Sequence, residues 1–125
     1  MELTSRANPT IKHIRALGAH LAYRAKYGEF VCDGSKLLFE ALKSKAKIDT
    51  LLYGDGLSKE LLNTAKNAGV KCISVPDDLL CYAANLKTIS DTVFTVKMDK
   101  KEPVGNGFCI MLDRVSDPGN VGTVI

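Results

Sequence analysis

Four short runs of apolar and β-branched residues, at 30–33, 48–54, 70–75 and 90–98, alternate along this chain with stretches of helical periodicity. This alternation limits the fold more tightly than any other feature. Strands interleaved with helices of roughly 10–15 residues demand crossover connections and a sheet covered by helices. The expectation is therefore an α/β sandwich around a largely parallel sheet. The first helix is expected from Asn8, whose side-chain oxygen can accept from first-turn N–H groups, with Pro9 suited to the position that follows. Ile11, Ile14, Leu17 or Gly18, and Leu21 then recur at helical spacing, and the helix should weaken near Tyr27 and Gly28. Gly34 and Ser35 start a second helix with Leu37, Leu38, Ala41 and Leu42 on its inner stripe, ending near Lys47. A third runs over 58–68 with Gly69 as its cap, and Pro76 opens a short fourth over 76–85.

Residues 99–106 are charged and rich in Gly and Pro, which marks a linker. The continuous apolar run FCIMLD at 108–113 then reads as a strand buried on both faces, and such a strand needs neighbours for its backbone donors. Three parts are expected: a compact unit over 1–98, the linker, and over 107–125 the first βα unit of a second domain whose remainder is absent. On that reading the chain is a fragment or a truncation product.

The chain has 125 residues, 46% of them apolar and 25% charged, close to the averages for folded globular domains. No secretory leader, no run of the roughly 20 apolar residues a membrane span needs, and no internal repeat is visible. The net charge of +3 permits a polyanionic partner without requiring one. Its distribution says more: residues 1–27 hold five cations (Arg6, Lys12, Arg15, Arg24 and Lys26) against one acid, Glu2, whereas the whole chain holds 17 against 14. With Ser5 and Asn8 beside them, these residues suggest a phosphate-contacting surface, and a solvated helix face is the alternative. Lys36, Lys43, Lys45 and Lys47 are weaker candidates to extend it. Cys32, Cys72, Cys81 and Cys109 lack CxxC spacing, so buried hydrophobes in a reducing cytosol are expected and a metal site is not.

The tail LDRVSDPGNVGTVI places Asp117, Pro118, Asn120 and Gly122 after an apolar run. It resembles motif 1 of the SpoU (TrmH-like) branch of the SPOUT RNA 2′-O-ribose methyltransferases. Upstream, Ser5, Asn8, Pro9 and Lys12 match the pattern SxxNPxxK. Arg24, Phe30, Gly34, Glu40, Ala41 and Leu42 match the family's next block. The resemblance implies a substrate-binding domain folded like ribosomal protein L30e. It also implies transfer of methyl from S-adenosylmethionine to a ribose 2′-OH of structured RNA, expected to be ribosomal, by a cytoplasmic parent that dimerises through a knotted domain. Asn120 would lie at the active site, and the family's arginine would follow Ile125. The motifs that build the cofactor site are absent, so residues 1–125 are expected to bind RNA as a monomer, without binding S-adenosylmethionine and without catalysing. One departure concerns Thr88, Ile89, Ser90 and Asp91, which stand where many relatives have Thr-Pro-Gln-Gly; a carboxylate enters where phosphate would pass.

Other side chains have milder readings. His13, His20 and Arg24 fall near one helical line and suit surface or capping roles. Tyr23 or Tyr27 could stack on a base, while Phe30 belongs to the core. Glu40 and Asp113 suit structural hydrogen bonds or caps. A stand-alone RNA-binding or ribosome-associated module of the same fold is the alternative function. A nucleotide-binding protein is disfavoured, since neither GxGxxG nor GxxxxGK follows a strand.

Overall fold

The computed structural model describes residues 3–88, 90–100, 102 and 105–125. Glu2 of the charge count, Ile89 of the departing turn, and Lys101, Pro103 and Val104 of the expected linker lie outside the described residues. The elements are α1 (Pro9–Ala19), α2 (Leu21–Tyr27), β1 (Glu29–Asp33), α3 (Ser35–Lys43) and β2 (Ile48–Tyr53). They continue with α4 (Lys59–Asn67), β3 (Lys71–Ser74), α5 (Asp77–Ala84), β4 (Thr92–Lys97) and α6 (Pro118–Val124).

The sheet order is β1-β4-β2-β3. Only β2 and β3 pair in parallel; β4 inserts between β1 and β2 and runs antiparallel to both, so the expected largely parallel sheet is mixed instead. Helices still cover both faces, because adjacent residues of each strand point opposite ways. Leu52 and Val93 face α1 and α5, packing with Ile11, Ile14, Leu79, Leu80 and Ala83. Leu51 and Phe94 face α3 and α4, packing with Leu38 and Ala65. The product is the α/β/α sandwich expected from the alternation. Residues Thr92 to Val96 of the central strand are all buried. The register between β2 and β4 shifts between Ile48 and Leu51. There the Thr95 hydroxyl accepts the Thr50 N–H at 3.2 Å, a donor the bulge has taken off the ladder.

Two helices depart from expectation. The single helix expected from Asn8 to Tyr27 breaks at His20, which is extended (φ −129°, ψ 117°). The break turns Leu21 outward, 74% exposed, instead of continuing the buried stripe of Ile11, Ile14 and Leu17. The second helix stops at Lys43 rather than near Lys47. Lys45 adopts φ 57°, and the N–H groups of Lys45 and Ala46 return to the carbonyls of Leu42 and Ala41, which closes the helix. Leu37, placed on that helix's inner stripe, is 52% exposed.

The run at 108–113 forms no strand. Phe108 and Met111 are more than 90% exposed, and the run pairs with neither open edge of the sheet, β1 or β3. Asp113 is therefore no strand-end cap; its carboxylate lies 3.8 Å from the Arg114 side chain, with both exposed. Among the described residues, no helix is long and apolar enough to cross a membrane.

Candidate nucleic-acid interface

The chain enters α1 through a turn that uses both Ser5 and Asn8. The Ser5 carbonyl accepts the Asn8 N–H at 3.1 Å, the Ser5 hydroxyl accepts the Ala7 N–H at 3.2 Å, and Asn8 Oδ1 accepts the Thr10 N–H at 2.9 Å. Their side chains shape the turn, and Arg6 projects from it. The Arg6 guanidinium lies 4.6 Å from the centre of the Tyr82 ring, and that of Arg15 lies 4.2 Å from the same ring. Arg15 also donates to the Tyr82 carbonyl in the last turn of α5, where the helix dipole favours a cation. Lys12, exposed, sits one turn before Arg15 on α1.

Among the described residues no carboxylate pairs with Arg6, Lys12 or Arg15. A guanidinium stacked on an aromatic face keeps its N–H edge free for a planar anion, and its geometry is already fixed. This corner of α1 and α5 is therefore a cationic surface whose two guanidiniums are placed by one ring. Tyr82 is the residue sequence reasoning missed. It stands 67 positions from Arg15, and nothing local in α5 indicates which neighbour its ring will meet.

The other cations of the first segment have different placements. Arg24 turns back on α1 and donates to the carbonyls of Leu17 (2.8 Å) and Gly18 (3.4 Å), which the end of the helix leaves without partners. His13 bridges the Tyr23 hydroxyl (2.9 Å to Nδ1) and the Glu29 carboxylate (2.9 Å to Nε2). An ionised carboxylate only accepts, so in the neutral ring Nε2 carries the proton and Nδ1 accepts from Tyr23. Burial, ahead of Tyr27 and the Glu29 charge, pushes the Tyr23 phenol above its ordinary range. Tyr27 packs 4.5 Å from Tyr23 and 5.0 Å from His13 between ring centres and stays 47% exposed. His20, at the helix break, takes no part in this cluster. Phe30 packs against the core as expected. Glu40 is exposed and takes no side-chain hydrogen bond among the described residues, contrary to the expected structural role.

A cavity of about 460 Å³ opens at the ends of β1, β2 and β3, lined by Gly34, Ser35, Lys36, Gly56, Asp77 and Asp91 among others. The Asp91 carboxylate accepts the Ser35 N–H at 3.0 Å and so caps α3 across the sheet. The negative charge noted in the sequence therefore occupies the helix end to which a phosphate would be drawn. Lys47 pairs with Asp99 at 2.7 Å. Cys32, Cys72 and Cys81 are half-buried, while Cys109 is exposed, against the expectation that all four are interior. No group of three His, Cys, Asp or Glu could hold a metal among the described residues.

Asn120 is exposed on α6, where its N–H is taken by the Asp117 carboxylate at 3.0 Å in an N-cap. Neither the cavity at the strand ends nor a smaller one beneath Ala46 and Val70 takes a wall from residues 107–125.

The model of the family described as the MRM3-like substrate-binding domain matches residues 8–95. The chain is 26% identical over 102 residues to the 23S rRNA (guanosine(2553)-2′-O)-methyltransferase RlmP of Bacillus subtilis, a match spanning 82% of this chain and 40% of that one. An rRNA methyltransferase from Sinorhizobium meliloti superposes with a TM-score of 0.70 at 25% identity, over 81% of this chain and 38% of that one. That enzyme is also known with AdoMet bound. The 15.5kD RNA-binding protein of Giardia lamblia shares the fold alone, with a TM-score of 0.53 at 12% identity, over 74% of this chain and 79% of that one. The chain spans about 40% of the length of its curated relative.

Proposed function

Because the chain belongs to the MRM3-like substrate-binding domain family, we propose that it is the RNA-holding part of an S-adenosylmethionine-dependent RNA 2′-O-ribose methyltransferase acting on ribosomal RNA. The observation that carries the reading is the pair of guanidiniums on Tyr82, with no carboxylate paired to either among the described residues. Arg6, Lys12 and Arg15 contact the RNA backbone; Ser5 and Asn8 hold the turn that presents Arg6, and Arg24 fixes the end of α1. A ribose 2′-OH is a weak nucleophile, so the enzyme depends on holding it in line with the methyl donor, and this domain supplies the grip that fixes the substrate.

In this reading residues 1–98 form the RNA-binding unit, 99–106 the linker, and 107–125 open the catalytic domain, with Asn120 at its active site. The cofactor and the homodimer interface belong to that further domain. Residues 1–125 alone are then a monomer that binds RNA in the cytoplasm and leaves S-adenosylmethionine unbound. The fold shared with an RNA-binding protein favours one second reading, a stand-alone RNA-binding module. Methyl transfer by the full-length gene product separates the two.

Binding to a structured ribosomal RNA fragment, followed by fluorescence anisotropy across a salt series, tests the grip. Arg6→Ala, Lys12→Ala and Arg15→Ala should each weaken binding and lower the slope of log affinity against log salt by about 0.9 per lost phosphate contact. Wild-type affinity and slope in all three would refute the proposed surface.

A further inference from the structure

On the sheet face opposite Tyr82, α3 and α4 lie side by side with a groove of about 540 Å³ between them. Leu42 and Leu61 line it half-buried, and Phe39 lines it with 54% of its surface in water. Lys36, Phe39 and Lys43 follow one line along α3, at i, i+3 and i+7, so the two lysines start about 10 Å apart along the axis. Neither ammonium has a partner among the described residues, whereas Lys47 is held by Asp99 and Lys97 by Asp49. The groove hydroxyls of Ser58 and Thr64 are already bonded to α4 backbone, and Glu60 is its one acid. An aromatic ring between two cations without partners among the described residues leaves more than half of its surface in water, so it contributes less to the core than a buried ring would.

The geometry points to this groove as a second RNA contact, one that takes an unpaired nucleotide with its base on the Phe39 ring and the flanking phosphates on Lys36 and Lys43. The inference rests on the RNA-holding reading above. Charge and spacing favour RNA over a protein segment. Every nucleotide of a single strand offers a π-face flanked by anions, while a peptide would need an apolar anchor with a carboxylate placed on each side. A duplex cannot fill the groove, because its bases are stacked inside. The sheet separates this groove from the Tyr82 cluster, so the two contacts can be removed independently.

The test compares binding of the 125-residue chain to an RNA hairpin with a 2-aminopurine in its single-stranded loop and to the same stem as a blunt duplex. Phe39→Ala should lower hairpin affinity about fivefold or more, the loss of one stacked base, and leave duplex affinity and the melting temperature unchanged. Phe39→Tyr should retain wild-type binding. Lys36→Ala and Lys43→Ala should each lower the hairpin's salt slope by about 0.7. Unchanged hairpin affinity in Phe39→Ala, as when the groove serves a protein, overturns the inference, and so does an equal loss on both probes. If the wild-type chain binds neither probe, the RNA-holding reading itself fails; if only the groove variants are silent, that reading stands and the groove contact falls.

Discussion

Under the proposed function Lys12 contacts RNA, whereas Arg24 is a structural cation. Replacing it with Met keeps much of the side-chain volume and removes the donors to the Leu17 and Gly18 carbonyls. Hydrogen bonds from a charged donor contribute about 1.5–3 kcal/mol. Arg24 is only half-buried, and water can reach carbonyls left open at a helix end. The loss therefore falls toward the about 0.3–1 kcal/mol of a cation at a helix C-terminus, with a further contribution from lost packing. A total near 1 kcal/mol lowers the melting temperature of a domain this size by about 3–6 °C. Circular-dichroism melts of Arg24→Met and Lys12→Ala, with RNA affinities measured well below the transition, form the assay. Arg24→Met should melt early and bind RNA nearly as wild type; Lys12→Ala should melt normally and bind weakly. A wild-type melt for Arg24→Met, together with an affinity loss as large as that of Arg15→Ala, would refute the assignment.

Asp91→Ala removes the acceptor that caps Ser35 across the sheet and should destabilise the fold by about 1 kcal/mol in urea titrations; an unchanged midpoint would show that water replaces the cap. The Lys97 ammonium holds the Asp49 carboxyl below its ordinary value of 3.8. A depressed carboxyl stabilises the fold above its unfolded pKa, and that stabilisation disappears as pH falls through the folded pKa. Asp49→Asn should therefore flatten the acid limb of the stability profile below about pH 4 and leave its shape near neutrality unchanged, by a small amount because the pair is exposed; an acid limb identical to wild type argues against the pair. Burial raises the Cys32 and Cys72 thiols above their ordinary range, while Cys109 is exposed. Iodoacetamide at neutral pH should label Cys109 first, and mass spectrometry showing Cys32 or Cys72 labelled faster would contradict the packing.

The sequence carried the local chemistry well. Asn8 and Pro9 announce α1 because capping uses neighbouring residues only, and Ser58 with Gly69 bounds α4 for the same reason. The sheet order was not legible: the insertion of β4 between β1 and β2 depends on pairing partners 39 to 68 positions apart. The break at His20 was hidden because the apolar spacing runs through it, and only tertiary structure brings Arg24 back to the end of α1. The run at 108–113 has a strand's composition, yet composition provides no edge for it to pair with. Within the candidate site, the charge excess of the first segment was visible, but its division was not. Arg6 and Arg15 are sorted from Arg24 by Tyr82 and by two backbone carbonyls, contacts that no pattern of residue types encodes.

Photo-crosslinking of the chain to a structured ribosomal RNA fragment, with the attachment sites read by mass spectrometry, bears most directly on the claim that the α1–α5 corner grips RNA. Adducts should concentrate within residues 6–15 and on Tyr82, and Arg15→Ala should deplete them. Efficient crosslinking that leaves those residues unmodified would mean that the RNA lies elsewhere on the domain.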